Sequence, residues 1–150
     1  IEMADKAGVA STNTARGALV ADFNLDGKLD IVVVNRWVNA EIWKNTAAGL
    51  GHFLSFRLRQ DGPNRDAVNA WIEVKRGDGK VMRRELYSGG GHVSGALDWW
   101  QFGVGDLARA EVRVIWPDGE EGPWATLDTD AFYVLERGKP ALHWSPAKAP

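Results

Sequence analysis

Ala18-Leu19-Val20-Ala21-Asp22-Phe23-Asn24-Leu25-Asp26-Gly27-Lys28-Leu29-Asp30-Ile31-Val32-Val33-Val34 is the stretch that decides the fold. Two apolar runs, residues 18–23 and 29–34, flank an oxygen-rich loop with no helical periodicity. Their β-branched content reads as strand–loop–strand, and the second run is apolar enough to be buried on both faces. The loop places Asp22, Asn24, Asp26 and Asp30 at its first, third, fifth and ninth positions. Calcium takes six to eight hard oxygen ligands at ~2.3–2.6 Å in flexible geometry, and alternating ligands on a tight loop can face one ion. Gly27 permits the sharp turn, and Lys28 would offer its backbone carbonyl. Three aspartates so close repel one another without a cation, whereas a plain hairpin turn needs none of them. The loop is not an EF-hand: its twelfth position is Val33, within a strand, where that motif needs a bidentate Glu. The reading predicts a structural calcium ion held by Asp22, Asn24, Asp26, Lys28 and Asp30.

Working outward, residues 40–44 form a third strand, and the three make a unit about the size of one propeller blade. A lone blade cannot bury both its faces. It must pack on the rest of the chain, on missing upstream repeats or on another copy. Further strands are expected at residues 52–59, 68–76, 80–88, 99–104 and 111–116, with the last ones within 126–135. Val68, Ala70, Ile72 and Val74 alternate with Asn69, Trp71, Glu73 and Lys75. Gly77-Asp78-Gly79 and Pro117-Asp118-Gly119 supply tight turns. The expected fold is all-β: a blade-like calcium repeat over 1–50, a small antiparallel sandwich or barrel over 51–138, and a loosely ordered tail over 139–150.

Composition narrows the function classes. Hydrophobic residues make up 45% and charged residues 25% of the 150, enough to build a core. The formal charge of −2 carries no basic stripe, which argues against nucleic-acid binding. The absence of cysteine excludes disulfides, thiolate metal sites and thiol nucleophiles. No apolar run approaches the ~20 residues of a membrane span. The chain opens Ile1-Glu2-Met3, which suggests a fragment whose targeting signal lies upstream. Eight tryptophans should serve mostly packing, with one or two left to form a binding face.

Residues 17–33 resemble an FG-GAP/VCBS repeat, the calcium-binding blade of integrin-type propellers. The segment Asn64-Arg65-Asp66-Ala67-Val68-Asn69-Ala70-Trp71-Ile72-Glu73-Val74 resembles the start of an ASPIC/UnbV domain. Gly89-Gly90-Gly91-His92-Val93-Ser94, Phe102-Gly103-Val104-Gly105 and Val112-Arg113-Val114-Ile115-Trp116-Pro117-Asp118-Gly119 continue that pattern in order. The chain departs from it at Asn69-Ala70-Trp71, where Gly-Ala-Arg is usual, and at His92, where an aromatic is usual. Repeat first and ASPIC/UnbV second is the order of the cartilage acidic protein family and its bacterial relatives. The resemblance implies a secreted or periplasmic protein, upstream propeller repeats and no enzymatic activity.

The leading expectation is therefore a non-catalytic calcium-binding adhesion or interaction module with an unidentified protein or glycan partner. A carbohydrate-binding module using an exposed Trp99 or Trp100 is the alternative. A hydrolase is disfavoured. Ser88 and Ser94 lack a nucleophile elbow, and His52, His92 and His143 lack metal spacing. Asp61, Asp66, Glu73 and Glu85 offer only loosely spaced carboxylates. Arg76-Gly77-Asp78 spells an adhesion tripeptide, but a hairpin needs the same residues.

Overall fold

A computed structural model describes residues 2–89, 95, 97 and 99–146. The chain divides into two compact units, Ile1–Thr46 with Gly89–Ala96 and Ala47–Ser88 with Leu97–Pro150.

In the first unit a single helical turn, α1 (Ala4–Ala7), ends on Gly8 at φ 72°. Three strands follow: β1 (Ala15–Ala21), β2 (Asp30–Asn35) and β3 (Glu41–Trp43). They form an antiparallel sheet in the order β1-β2-β3. Leu19 stands opposite Val32, and Val32 opposite Ile42. Contrary to the expectation for residues 29–34, neither face is closed. Val20 and Val34 are each 54% exposed and Ile42 72%. Ala21 is the one buried hydrophobic residue described in this unit. Three strands bury little by themselves, so the sheet is held chiefly by its ladder and by polar contacts at its ends.

The second unit contains β4 (His52–Arg59), β5 (Trp71–Lys75), β6 (Val81–Glu85), β7 (Trp100–Gly105), β8 (Arg109–Ile115), β9 (Ala125–Asp128), β10 (Ala131–Glu136) and β11 (Leu142–Trp144). Two four-stranded sheets result, ordered β11-β10-β4-β7 and β6-β5-β8-β9. Their inner faces share one core. Leu54, Phe56, Leu58, Phe102 and Tyr133 come from the first sheet, and Ile72, Val74, Val112 and Val114 from the second. Of the two architectures expected, sandwich or barrel, no closed barrel forms.

Three details differ from the expected strands. First, β4 and β10 run parallel, Leu54 opposite Ala131. Parallel partners need a long crossover, and the intervening strands β5 to β9 supply it. Second, β5 begins at Trp71, because Ala67 and Asn69 sit at φ 51° and 72° and turn the chain. Of the predicted inward set, Ala70, Ile72 and Val74 are nevertheless fully buried, whereas Val68, before the strand begins, is only half-buried. Third, the segment from Lys139 contains β11, which pairs with β10 through Phe132 opposite Trp144. The Gly77-Asp78-Gly79 hairpin forms as expected, with Arg76 N–H donating to the Lys80 carbonyl at 2.8 Å. Where β4 meets β7, Gly51 lies against Gly105. A Cβ at Gly51 would fall 2.7 Å from the Gly105 carbonyl oxygen.

Candidate functional site

The loop between β1 and β2 begins at Asp22 and ends where Asp30 opens β2. Its sharp course rests on Leu25 and Gly27, at φ 59° and 84°. Glycine enters the left-handed region without penalty; leucine does not, so the loop must be held by its contacts. The carboxylates do the holding. Asp22 is 6% exposed, and its two oxygens accept the N–H groups of Asp26 at 3.0 Å and Gly27 at 2.7 Å. Asp30 is 3% exposed and accepts from Phe23 N–H at 3.2 Å and Asn45 N–H at 2.8 Å. It thus ties the loop to the segment after β3. Asp26 accepts from the Asn24 side-chain amide at 2.9 Å and from Lys28 N–H at 3.0 Å. The Lys44 ammonium stands 3.8 Å from the same Asp26 carboxylate.

These environments push two carboxyls apart. Burial raises Asp22 above the usual carboxylate range; the nearby Asp26 charge adds to the rise, and the Gly27 and Asp26 N–H groups oppose it. Asn24 chiefly holds Asp26 below that range, helped by Lys28 N–H and the Lys28 and Lys44 charges.

The donor chemistry suits a hard cation: three carboxylates, one amide oxygen and backbone carbonyls, with no soft ligand. Each carboxylate oxygen that accepts one N–H keeps a second lone pair. The gathering is looser than the ligand spacing suggests. Among the described residues no three His, Asp or Glu side chains are grouped to hold a metal ion. Asn24 turns its amide N–H₂, not its oxygen, towards Asp26. A cation at this loop would have to draw Asp26 in and release that amide.

Elsewhere the structure separates most of the groups the sequence offered. His92, with Gly90, Gly91 and Ser94, lies outside the described residues. His52 pairs with Asp130 at 2.6 Å, and His143 packs edge-on to Tyr133. Glu73 is bonded by Arg113 at 2.7 Å and lies 3.5 Å from Arg83. Asp66 is bonded by Arg59 at 2.8 Å. Two of the four candidate carboxylates are thus matched with guanidinium groups. In the Arg76-Gly77-Asp78 tripeptide the two charged side chains approach each other to 3.7 Å, and both stay exposed at the hairpin tip.

The tryptophans sort by environment. Trp116 is buried, and Trp37 is 84% exposed with the Arg36 guanidinium 3.8 Å from its ring centroid. On the outer face of the β6-β5-β8-β9 sheet, Arg83 covers Trp71, and Lys75 and Arg113 both lie over Trp124. Trp99 meets Trp144, Phe132 and Arg57 and is half-exposed. Trp100 meets Tyr87 edge-on at 5.1 Å and remains half-exposed. The cation–aromatic ladder was not foreseeable from spacing, because its members come from four separate segments.

Comparison with known families gives a match. The family model described as ASPIC and UnbV covers residues 60–141. No curated protein matches the chain. Among the described residues, no helix is long and apolar enough to cross a membrane.

Proposed function

We propose that this chain, which belongs to the ASPIC and UnbV family, is a non-catalytic interaction module of an exported protein, and that its first unit is a blade-like repeat stabilised by calcium. One observation carries the calcium reading. Asp22 is almost wholly buried beside Asp26, and its described partners are backbone N–H groups, not a cationic side chain. A buried carboxylate that stays ionised normally has a paired charge or a metal. Asp22, Asn24, Asp26, the Lys28 carbonyl and Asp30 would hold the ion. When bound, calcium supplies only positive charge, relieving the repulsion between the loop's carboxylates. The chain's own N–H groups orient Asp22 and Asp30, so that less ordering remains when the ion arrives.

An ion that binds the folded state alone stabilises it by mass action, about 2.7 kcal/mol when present at about a hundred times its Kd. Metal-stripped protein is therefore expected to melt at higher temperature as calcium is added. Asp26→Ala should abolish the increase. A melting curve of the unmutated, stripped protein that ignores millimolar calcium would end the proposal. The interaction role is supported by the open apolar faces of the first sheet and by the pairing of Glu73 and Asp66 with arginines, which leaves them unsuited to acid–base work.

A further inference from the structure

We propose that Asp61-Gly62, in the connection between β4 and β5, is a site of spontaneous covalent modification at which the aspartyl linkage isomerises to isoaspartyl. This goes beyond the interaction role proposed above and depends on neither the calcium loop nor a partner.

The chemistry needs a carboxyl, the next backbone nitrogen and water. The Gly62 nitrogen attacks Cγ of Asp61. A C–N bond forms, the amide proton and the carboxyl hydroxyl leave as water, and a five-membered succinimide results. Water then adds to one of the two ring carbonyls and breaks its bond to nitrogen. Opening at the former backbone carbonyl sends the chain through the side chain and leaves that carbonyl as the free carboxyl. Opening at the other restores aspartate. One water is lost and one regained. A glycine in the following position favours the attack, because no side chain shields its nitrogen.

The sequence contains four Asp-Gly pairs: Asp26-Gly27, Asp61-Gly62, Asp78-Gly79 and Asp118-Gly119. The fold restrains three of them through the glycine N–H. Gly27 donates to the Asp22 carboxylate at 2.7 Å, Gly79 to the Arg76 carbonyl at 2.9 Å and Gly119 to the Trp116 carbonyl at 2.8 Å. The carboxylates of those pairs are held as well. Asp26 accepts from Lys28 N–H at 3.0 Å and Asp78 from Lys80 N–H at 3.1 Å. Asp118 accepts from Glu120 N–H at 3.2 Å and from the Arg137 guanidinium at 2.6 Å. Before ring closure each nitrogen must break a hydrogen bond and each carboxyl must turn from its donor.

Asp61-Gly62 has neither restraint. Among the described residues the Gly62 N–H has no acceptor, and the Asp61 carboxylate has no hydrogen bond or ion pair. Lys139 feels the Asp61 charge through space, but its ammonium is bonded to Glu136 at 2.6 Å. Both residues of the pair are exposed. Nothing lies within 4 Å of where a Gly62 Cβ would stand, so the ring has room. The turn is anchored on either side of the pair. Gln60 N–H donates to the Arg65 carbonyl at 3.0 Å, and the Gln60 side-chain amide to the Asn64 carbonyl at 2.8 Å. The extra backbone methylene of the product can be taken up between those anchors while β4 stays paired.

The test is incubation of the full chain for weeks at neutral pH and body temperature. Tryptic digestion and electron-transfer mass spectrometry then distinguish isoaspartyl from aspartyl peptides of equal mass; Asp61 falls in the tryptic peptide Gln60–Arg65. A parallel incubation in guanidinium chloride gives the rates without the fold. Comparable rates at all the Asp-Gly pairs are expected in the denatured chain. In the folded chain Asp61-Gly62 should outpace each of the others by roughly tenfold or more. Asp61→Asn, which loses ammonia in place of water, should reach the same isoaspartyl product several-fold sooner in the folded chain. Equal rates at the pairs in the folded chain, a faster reaction at Asp78 or Asp118, or an unchanged Asp61 beside a reacting denatured control overturns the proposal. So does a folded D61N chain that forms the product no faster.

Discussion

At the scale of single residues, Asp22 carries the most testable chemistry. Its carboxyl is raised in the folded chain, so the folded state holds that proton more tightly than the unfolded state does. Below the unfolded value of ~3.9 both states are protonated and the group has no net effect. As pH climbs from there through the raised folded value, ionisation in the buried position lowers the stability of the metal-free protein. Asp26 has the opposite sign: its lowered value favours folding above ~3.9 and loses that benefit as pH falls. Calcium needs Asp22 ionised, so protons compete with the ion most strongly just above the ordinary aspartate range. Calcium affinity measured calorimetrically is expected to begin falling, as pH is lowered, above the range where unburied aspartates titrate. A decline confined to the ordinary aspartate range would count against Asp22 as the ligand that competes with protons. The ligand types were legible in the sequence, since alternating oxygen side chains and a glycine are visible there. The grip of backbone N–H groups on Asp22 and Asp30 was not. It depends on the folded course of the loop and on Asn45, fifteen positions after Asp30.

At the scale of elements, β5 shows two kinds of stabilisation on opposite faces. Ile72 and Val74 are fully buried inward, while Glu73 on the outer side is engaged by Arg113 and Arg83. Ile72→Ala removes buried methyl groups and leaves a cavity between the two sheets, which should destabilise the unit by about 2–5 kcal/mol. Glu73→Gln keeps the shape and some hydrogen bonding but removes the charge that both arginines share. Its effect should be measurable and smaller than that of Ile72→Ala, because the arginines remain wetted and can be rehydrated. Urea denaturation of both variants checks the order, and an inverted order would make the outer ladder, not the core, the main support of β5. The inward alternation was readable because side-chain direction follows the strand period of two. Turns were readable because Gly77-Asp78-Gly79 and Pro117-Asp118-Gly119 act locally. The parallel pairing of β4 with β10 was not, since nothing local links residue 54 to residue 131. β11 was missed because it has three residues, between Pro140 and Pro146, and gains order only by pairing with β10.

At the scale of the whole molecule, the two units differ in how they are held. The second has a core running through both sheets, with Leu54, Phe56, Ile72 and Val74 fully covered. The first has Ala21 as its one buried hydrophobic residue among those described, and relies on Asp22, Asp30 and Asn35, all buried and polar. Apolar burial contributes roughly 25 cal/mol per Å², so the second unit should be the more stable by a wide margin. The sequence suggests a boundary near residue 50; the first compact unit comprises Ile1–Thr46 with Gly89–Ala96. Apolar strands alone read as buried, but Val20, Val34 and Ile42 stay open, as a lone blade that cannot bury both its faces would leave them. Two stabilities in one chain predict two heat-absorption peaks in scanning calorimetry of the metal-stripped protein. Calcium should move only the lower peak upward, towards the upper one, while Ile72→Ala should move only the upper peak downward. One peak that shifts as a whole under both changes would mean that the units fold as a single cooperative body, and that the calcium loop bears on the stability of the entire chain.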